Sequence, residues 1–141
     1  MTALASGRWN LAIGLLGIAG FMVFGFILIY LRDFAPGAEQ WAADYGIGTH
    51  FEARLAHVHG ALFSLLNLVI GVVIAHLHVG RASRAGIAGL AIAGLMMPLG
   101  IVAEFTLGVP PVFVLIGGIA ILVAFLWAGI AALKPAPATS T

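Results

Sequence analysis

The stretch RLAHVHGALFSLLNLVIGVVIAHLH, residues 54–78, decides the fold class. Arranged as a helix at about 100° per residue, it has two unlike faces. The first face is small and polar: His57, Gly60, Ala61, Ser64, Asn67, Gly71, Ala75 and His78. The second is apolar apart from one histidine: His59, Leu62, Phe63, Leu66, Ile70, Val73 and Leu77. An unsatisfied polar group in hydrocarbon costs several kcal/mol, so we expect His57 to point inward and His59 to point outward, with the apolar face meeting lipid.

The composition is that of a membrane protein. Of 141 residues, 62% are hydrophobic and 8% are charged, whereas soluble domains have roughly 25% charged residues. The net charge of +1, carried by scattered basic residues, excludes a nucleic-acid-binding surface. Because the chain contains no cysteine, any metal or haem must be bound by His, Met, Glu or Asp.

Four apolar segments are long enough to cross a hydrocarbon core of ~30 Å: residues 10–31, 55–79, 85–107 and 112–133. Pro98 is predicted to kink the third of these helices near Gly94 and Gly100. We therefore expect an all-α integral membrane protein, folded as an up-down four-helix bundle over residues 1–134. Residues 135–141, rich in Pro, Ala and Thr, are predicted to be a disordered tail.

Residues 32–54 form the only long connection between these helices. A short helix at the membrane surface is expected over residues 38–45. His50 and Glu52 lie in the connection, where they are either additional ligands for a site next to the second helix or ordinary solvated loop residues.

The charged residues predict how the bundle is oriented. Four basic residues fall at one end of the predicted helices: Arg8, Arg81, Arg84 and Lys134. By the positive-inside rule, both termini are cytoplasmic and the long connection is on the outer side of the membrane, which we expect to be a bacterial inner membrane.

Glu104 is the one acidic residue inside a predicted span, and it is expected near His57. Both residues fall at nearly the same depth, and the third helix carries a stripe of small residues on the Glu104 face. If the second and third helices pack through their small residues, His57 and Glu104 meet, with Ser64 and Asn67 beneath them. An ionisable group at the centre of a span costs ~2.5–3.5 kcal/mol, so Glu104 needs a partner. The pair is either structural, part of a metal or haem site, or part of a proton or substrate relay.

These considerations define the candidate site residues. His57, Ser64 and Asn67 are the candidate cofactor contacts, and the candidate metal ligands are His57, Glu104, His59 and His50. Helical residues two apart diverge by about 200°, so neither His-x-His pair is expected to share one site. His76 and His78 are expected to lie among lipid headgroups.

The segment Arg54-Leu-Ala-His57-Val-His59-Gly resembles the start of the second membrane helix in the catalytic subunits of haem–copper oxidases and nitric oxide reductases. The resemblance implies that His57 ligates a haem near the outer surface. That family has twelve helices in three similar groups of four, and this chain looks like one such group. A second axial ligand would then come from a sister subunit, a methionine or water.

We therefore predict a small membrane subunit that binds haem b or a Cu, Fe or Zn ion in a respiratory or related redox system. The alternatives are a structural or assembly subunit without catalytic activity, and an oligomeric carrier of small molecules or ions lined by Ser64 and Asn67. The small-residue stripes exceed what one bundle needs, which predicts a homo-oligomer, for example a trimer, or docking into a larger membrane complex.

Overall fold

A computed structural model describes residues 4–134 of the chain, and this part is helical and contains no strand. After a 3-10 turn at Leu4–Ser6, the helices are α1 (Arg8–Asp33), α2 (Ala38–Ala43), α3 (Gly48–His76), α4 (Arg81–Ala93), α5 (Met96–Leu107) and α6 (Val112–Ala132). Helices α4 and α5 together form one span, so four segments are long and apolar enough to cross a membrane. The predicted all-α fold with four spans is confirmed. The predicted tail lies outside the described residues.

Helix α1 packs antiparallel along α3. Gly14 lies against the backbone of Ser64 and Leu68, while Gly25, about three turns further along α1, lies against the ring of His57. Because these glycines have no side chain, the two helix axes approach closely over most of their length.

The α4–α5 span packs antiparallel against α6, again through glycine. Gly100 lies against Phe113 and Val114 near the start of α6, and Gly86 lies against Trp127 near its end. Consecutive spans therefore alternate in direction, as expected of an up-down bundle.

Helix α3 is the central helix, since it contacts α1 on one side and α4, α5 and α6 on the other. The expectation that its apolar face meets lipid is wrong for most of that face. Phe63, Ile70 and Leu77 on that face are at most 6% exposed and belong to the core shared with α4 and α6, whereas Leu62 is 45% exposed. With neighbours on both sides, α3 exposes a narrow strip between them, which includes Val58, Leu62, Leu65, Val69 and Val72.

The connection before α3 is shorter than predicted. Helix α3 begins at Gly48 rather than Leu55, so His50 and Glu52 lie in its first turns and not in a loop. As a result His50, Arg54 and His57 are spaced at i, i+4 and i+7 and share one helical face.

The predicted kink in the third span is confirmed. Helix α4 ends at Ala93 and α5 begins at Met96, two residues before Pro98. Proline has no N–H to donate to the carbonyl of Gly94, and the Met97 N–H donates to that carbonyl instead, at 3.0 Å.

Candidate functional site

The buried polar groups between the helices form a hydrogen-bond network that joins α1, α3 and α4. Asn10 Nδ2 donates to Asn67 Oδ1 and to the Ala88 carbonyl, both at 3.0 Å. Asn67 Nδ2 donates to the carbonyls of Ala91, at 2.8 Å, and Phe63, at 3.0 Å. Both asparagines are fully buried. The network therefore fastens three spans together in the interior of the bundle.

Ser64 and Asn67 have a different role from the one expected of them. The Ser64 hydroxyl donates to the Gly60 carbonyl of its own helix, at 2.7 Å, and Asn67 has partners for both its amide groups. Both side chains are fully buried, their hydrogen bonds serve helix packing, and neither lines the cleft described below. Sequence analysis missed Asn10, although an amide within an apolar segment was the available signal.

The expected pair between His57 and Glu104 is not formed. Among residues 4–134 the only ion pair joins Arg32 to Asp33, at 2.7 Å, and Glu104 has no hydrogen-bond partner in this range. His57 instead lies against α1, where its ring is next to Gly25 and 6.2 Å from the ring of Phe24.

His57 and Glu104 do not meet because the small residues of the second and third spans pack against other helices and not against each other. The small face of α3 packs against the glycines of α1, and the glycines of the third span pack against α6. The second and third spans still contact each other, but they do so through the apolar core and the Asn67 amide.

His57 lines a cleft of about 470 Å³ between α1 and α3, which we call the α1–α3 cleft. Its size is within the usual range of ligand pockets, roughly 300–1,000 Å³. Helix α1 supplies a mostly apolar wall, α3 supplies a basic one, and no acidic residue lines the cleft. The lining residues are Met22, Gly25, Phe26, Leu28, Ile29, Arg32, Tyr45, His50, Arg54 and His57.

An aromatic and basic cluster closes one end of the α1–α3 cleft. The ring of Trp41 stacks on that of His50 with 4.5 Å between centroids, and His50 Nδ1 donates to the Trp41 carbonyl. The Arg54 guanidinium lies 3.4 Å above the centroid of Tyr45 and donates to the Tyr45 carbonyl at 2.9 Å. These contacts hold the α2 segment against the first turns of α3.

Of the two histidines that line the cleft, His57 is the one without a hydrogen bond to any residue in the range 4–134. Its Nδ1 atom is buried without a hydrogen-bond partner in the described part of the chain. Leaving a buried polar group unsatisfied costs about 1–3 kcal/mol, and native structures usually provide a partner, a water molecule or a ligand. Because Nδ1 is buried, the atom of His57 that a molecule in the cleft could contact is Nε2, which makes no hydrogen bond with residues 4–134. His50, in contrast, is already bonded to Trp41.

The other predicted metal ligands lie elsewhere. His59 Nδ1 donates to the Leu55 carbonyl at 2.9 Å, and its ring centroid is 6.2 Å from that of Phe63. Neither His59 nor Glu104 lines the α1–α3 cleft, so of the four predicted ligands the structure brings only His50 and His57 to one site. Within residues 4–134 no three His, Cys, Asp or Glu side chains are grouped closely enough to hold a metal ion.

No family model matches this chain, and neither a curated protein nor a solved structure matches it. The resemblance of residues 54–60 to the oxidase helix therefore stays a prediction.

Proposed function

We propose that the protein binds haem in the α1–α3 cleft, with His57 as an axial ligand. The observation that carries the proposal is the imidazole of His57, which lines the cleft and has no hydrogen bond to the described part of the chain. Haem needs only one or two axial ligands from the protein, whereas a bound Zn²⁺ ion typically needs three or four. Because no group of three candidate ligands exists among the described residues, haem is favoured over a bare Cu, Fe or Zn ion.

The remaining residues of the cleft suit the same cofactor. The apolar wall, which includes Phe26 and Ile29, would exclude water from a macrocycle, and the guanidinium group of Arg54 would bind one of its carboxylates. Arg32 also lines the cleft, but its guanidinium is paired with Asp33, and a second carboxylate of the cofactor would have to replace that pair. The thioether of Met22 is a candidate second axial ligand in the same cleft. When bound, haem would supply one-electron redox chemistry.

The environment of His57 also predicts how strongly the cofactor would be held. Ligating histidines usually donate their other ring N–H to an acceptor, which fixes the tautomer and increases the basicity of the ligating nitrogen. No described residue accepts a hydrogen bond from His57. We therefore expect weaker haem binding than in a site with such an acceptor.

In this proposal the chain is a subunit of a respiratory or related redox system in a bacterial inner membrane, with the cleft near the outer surface. Its partners would be lipid and either further copies of the chain or a larger membrane complex. Two glycines of the third and fourth spans support close contact with another helix, because a Cβ atom at Gly89 or Gly129 would meet no heavy atom within 4 Å.

Haem titration of the purified protein tests the proposal. We expect a Soret band that saturates with added haem, and we expect His57→Ala to weaken binding at least about tenfold, since loss of a supporting hydrogen bond alone costs that much. His59→Ala is the matched control, because it removes an imidazole two residues away that lies outside the cleft. Its titration should match that of the unmodified protein.

A protein that shows no Soret band, or that loses haem equally in both variants, would contradict the proposal. The second candidate function would then be preferred. It is a structural or assembly role, and it is favoured by the use of Ser64 and Asn67 in helix packing.

A further inference from the structure

A second groove lies at the opposite end of the bundle, between the end of α3 and the end of α6. It has a volume of about 300 Å³. It is lined by three basic side chains and by apolar side chains, and we call it the basic groove. Its lining residues are Val72, Val73, His76, Leu77, His78, Ala131, Ala132 and Lys134.

His76 and His78 share this groove because α3 ends sooner than predicted. The helix stops at His76, and Leu77 is extended, with φ −75° and ψ 131°. Residues two apart diverge on a helix but point to the same side of an extended chain. The expectation that no His-x-His pair shares a site is therefore wrong for His76 and His78, and it holds for His57 and His59.

The basic side chains of the groove keep donor or acceptor atoms that form no hydrogen bond with the described residues. The carbonyls of Leu77 and Val79 accept hydrogen bonds from Arg84, at 2.5 and 3.2 Å. His76 Nδ1 donates to the Val72 carbonyl at 3.0 Å, which leaves its Nε2 atom free. The side chains of His78 and Lys134 have no hydrogen bond or ion pair with residues 4–134.

No acidic side chain lines the groove. All five acidic residues belong to the other end of the bundle, in or next to the connection between α1 and α3 or at the end of α5. They are Asp33, Glu39, Asp44, Glu52 and Glu104. A rim that carries the Lys134 ammonium group and two imidazoles, next to an apolar surface, fits a molecule that is anionic at one end and apolar along the rest of its length.

We propose that the basic groove binds an anionic phospholipid. Its phosphate would lie between His78 and Lys134, and an acyl chain would lie along Val72 and the exposed side of α3. Basic pockets between membrane helices bind such headgroups. The apolar lining favours a lipid over dissolved phosphate, because a free anion gains nothing from contact with valine and alanine side chains.

Native mass spectrometry of the detergent-purified full chain tests this proposal, with phosphatidylglycerol and phosphatidylcholine as probes. We expect phosphatidylglycerol to bind more tightly, and we expect Lys134→Gln to weaken its binding about fivefold, the usual effect of one basic residue at an anionic surface. Arg81→Gln is the matched control, because it removes one positive charge at the same end of the bundle but outside the groove. It should change binding less than twofold.

Several results would overturn the proposal. Equal affinity for the two lipids would show that the headgroup charge is not recognised. Equal losses of phosphatidylglycerol affinity in Lys134→Gln and Arg81→Gln would show that the lipid is attracted by the overall positive charge at this end of the bundle and not by a specific site. Binding of inorganic phosphate with the same dependence on Lys134, but without a lipid preference, would identify a free-anion site. Loss of self-association in Lys134→Gln with unchanged lipid binding would identify a contact between chains.

Discussion

Asn67 shows how one side chain holds several membrane helices together. Its amide donates to α4 and to its own helix, and its carbonyl accepts from Asn10 on α1. In hydrocarbon no water competes for these bonds, so a buried amide finds its partners on neighbouring helices. The position of Asn67 on an inward face was predictable from helical periodicity. Its partners were not, because periodicity identifies a face without identifying the helix that covers it.

We predict that Asn10 and Asn67 stabilise the fold cooperatively. In a double-mutant cycle with Asn10→Ala and Asn67→Ala, the two substitutions should show a coupling energy of about 1 kcal/mol, because each removes the partner of the other. Denaturation in mixed detergent micelles, followed by circular dichroism, measures it. Ser64→Ala is the control, since its hydroxyl bonds only within α3, and it should show no coupling to Asn10→Ala. Additive losses for the asparagine pair would contradict the prediction.

For His57, too, helical periodicity predicted an inward face but not the helix that covers it. Its inward orientation was predicted, and the structure places it in a cleft, but on the α1 side and not beside Glu104. The cleft itself could not be predicted, because it depends on Arg32, Tyr45 and Arg54, which come from separate elements. Only the early start of α3 puts Arg54 and His50 on the face of His57.

At the scale of the element, glycine determines how closely the helices pack. A Cβ atom at Gly14 would lie 2.8 Å from Leu68 N and Ser64 O, which are backbone atoms and cannot rotate away. A Cβ atom at Gly20, on the same helix, would meet nothing within 4 Å. A glycine at a close helix contact therefore differs from the others in the atoms that surround it. Those surroundings cannot be read from the sequence alone.

We predict that Gly14→Ala destabilises the protein by about 1–3 kcal/mol, because the α1 and α3 backbones must separate to admit the methyl group. Thermal unfolding in a mild detergent measures the loss. Gly20→Ala makes the same chemical change in the same helix without a contact, and its stability should be unchanged or slightly higher because alanine favours helix. Equal stabilities of the two variants would show that α1 does not pack on α3 as closely as described.

The helix ends show what hydropathy alone cannot predict. The four spans were found because each contains a long apolar segment. Helix α3, however, begins seven residues before Leu55, since backbone hydrogen bonding continues beyond the apolar segment. It ends at His76 because Arg84 binds the carbonyls of Leu77 and Val79, which is a tertiary contact between α4 and the turn that follows α3.

At the scale of the whole molecule, the two ends of the bundle carry opposite charge. Every acidic residue lies at the end that contains the α1–α3 cleft, and the opposite end carries Arg8, Arg81, Arg84 and Lys134. The proposed haem site and the proposed lipid site are therefore on opposite sides of any membrane that the four spans cross. The orientation in the membrane decides which of them faces the cytoplasm.

We predict that the basic end faces the cytoplasm, because basic residues close to short loops are retained on that side during insertion. The chain has no cysteine, so single substitutions can be labelled without background. Gly46→Cys and Gly80→Cys form a matched pair at opposite ends, since both glycines are exposed and a Cβ atom there would meet nothing within 4 Å. In intact bacterial cells a membrane-impermeant maleimide should label Gly46→Cys, and it should label Gly80→Cys only after the membrane is opened. The reverse pattern would contradict the orientation and would move the α1–α3 cleft to the cytoplasmic side.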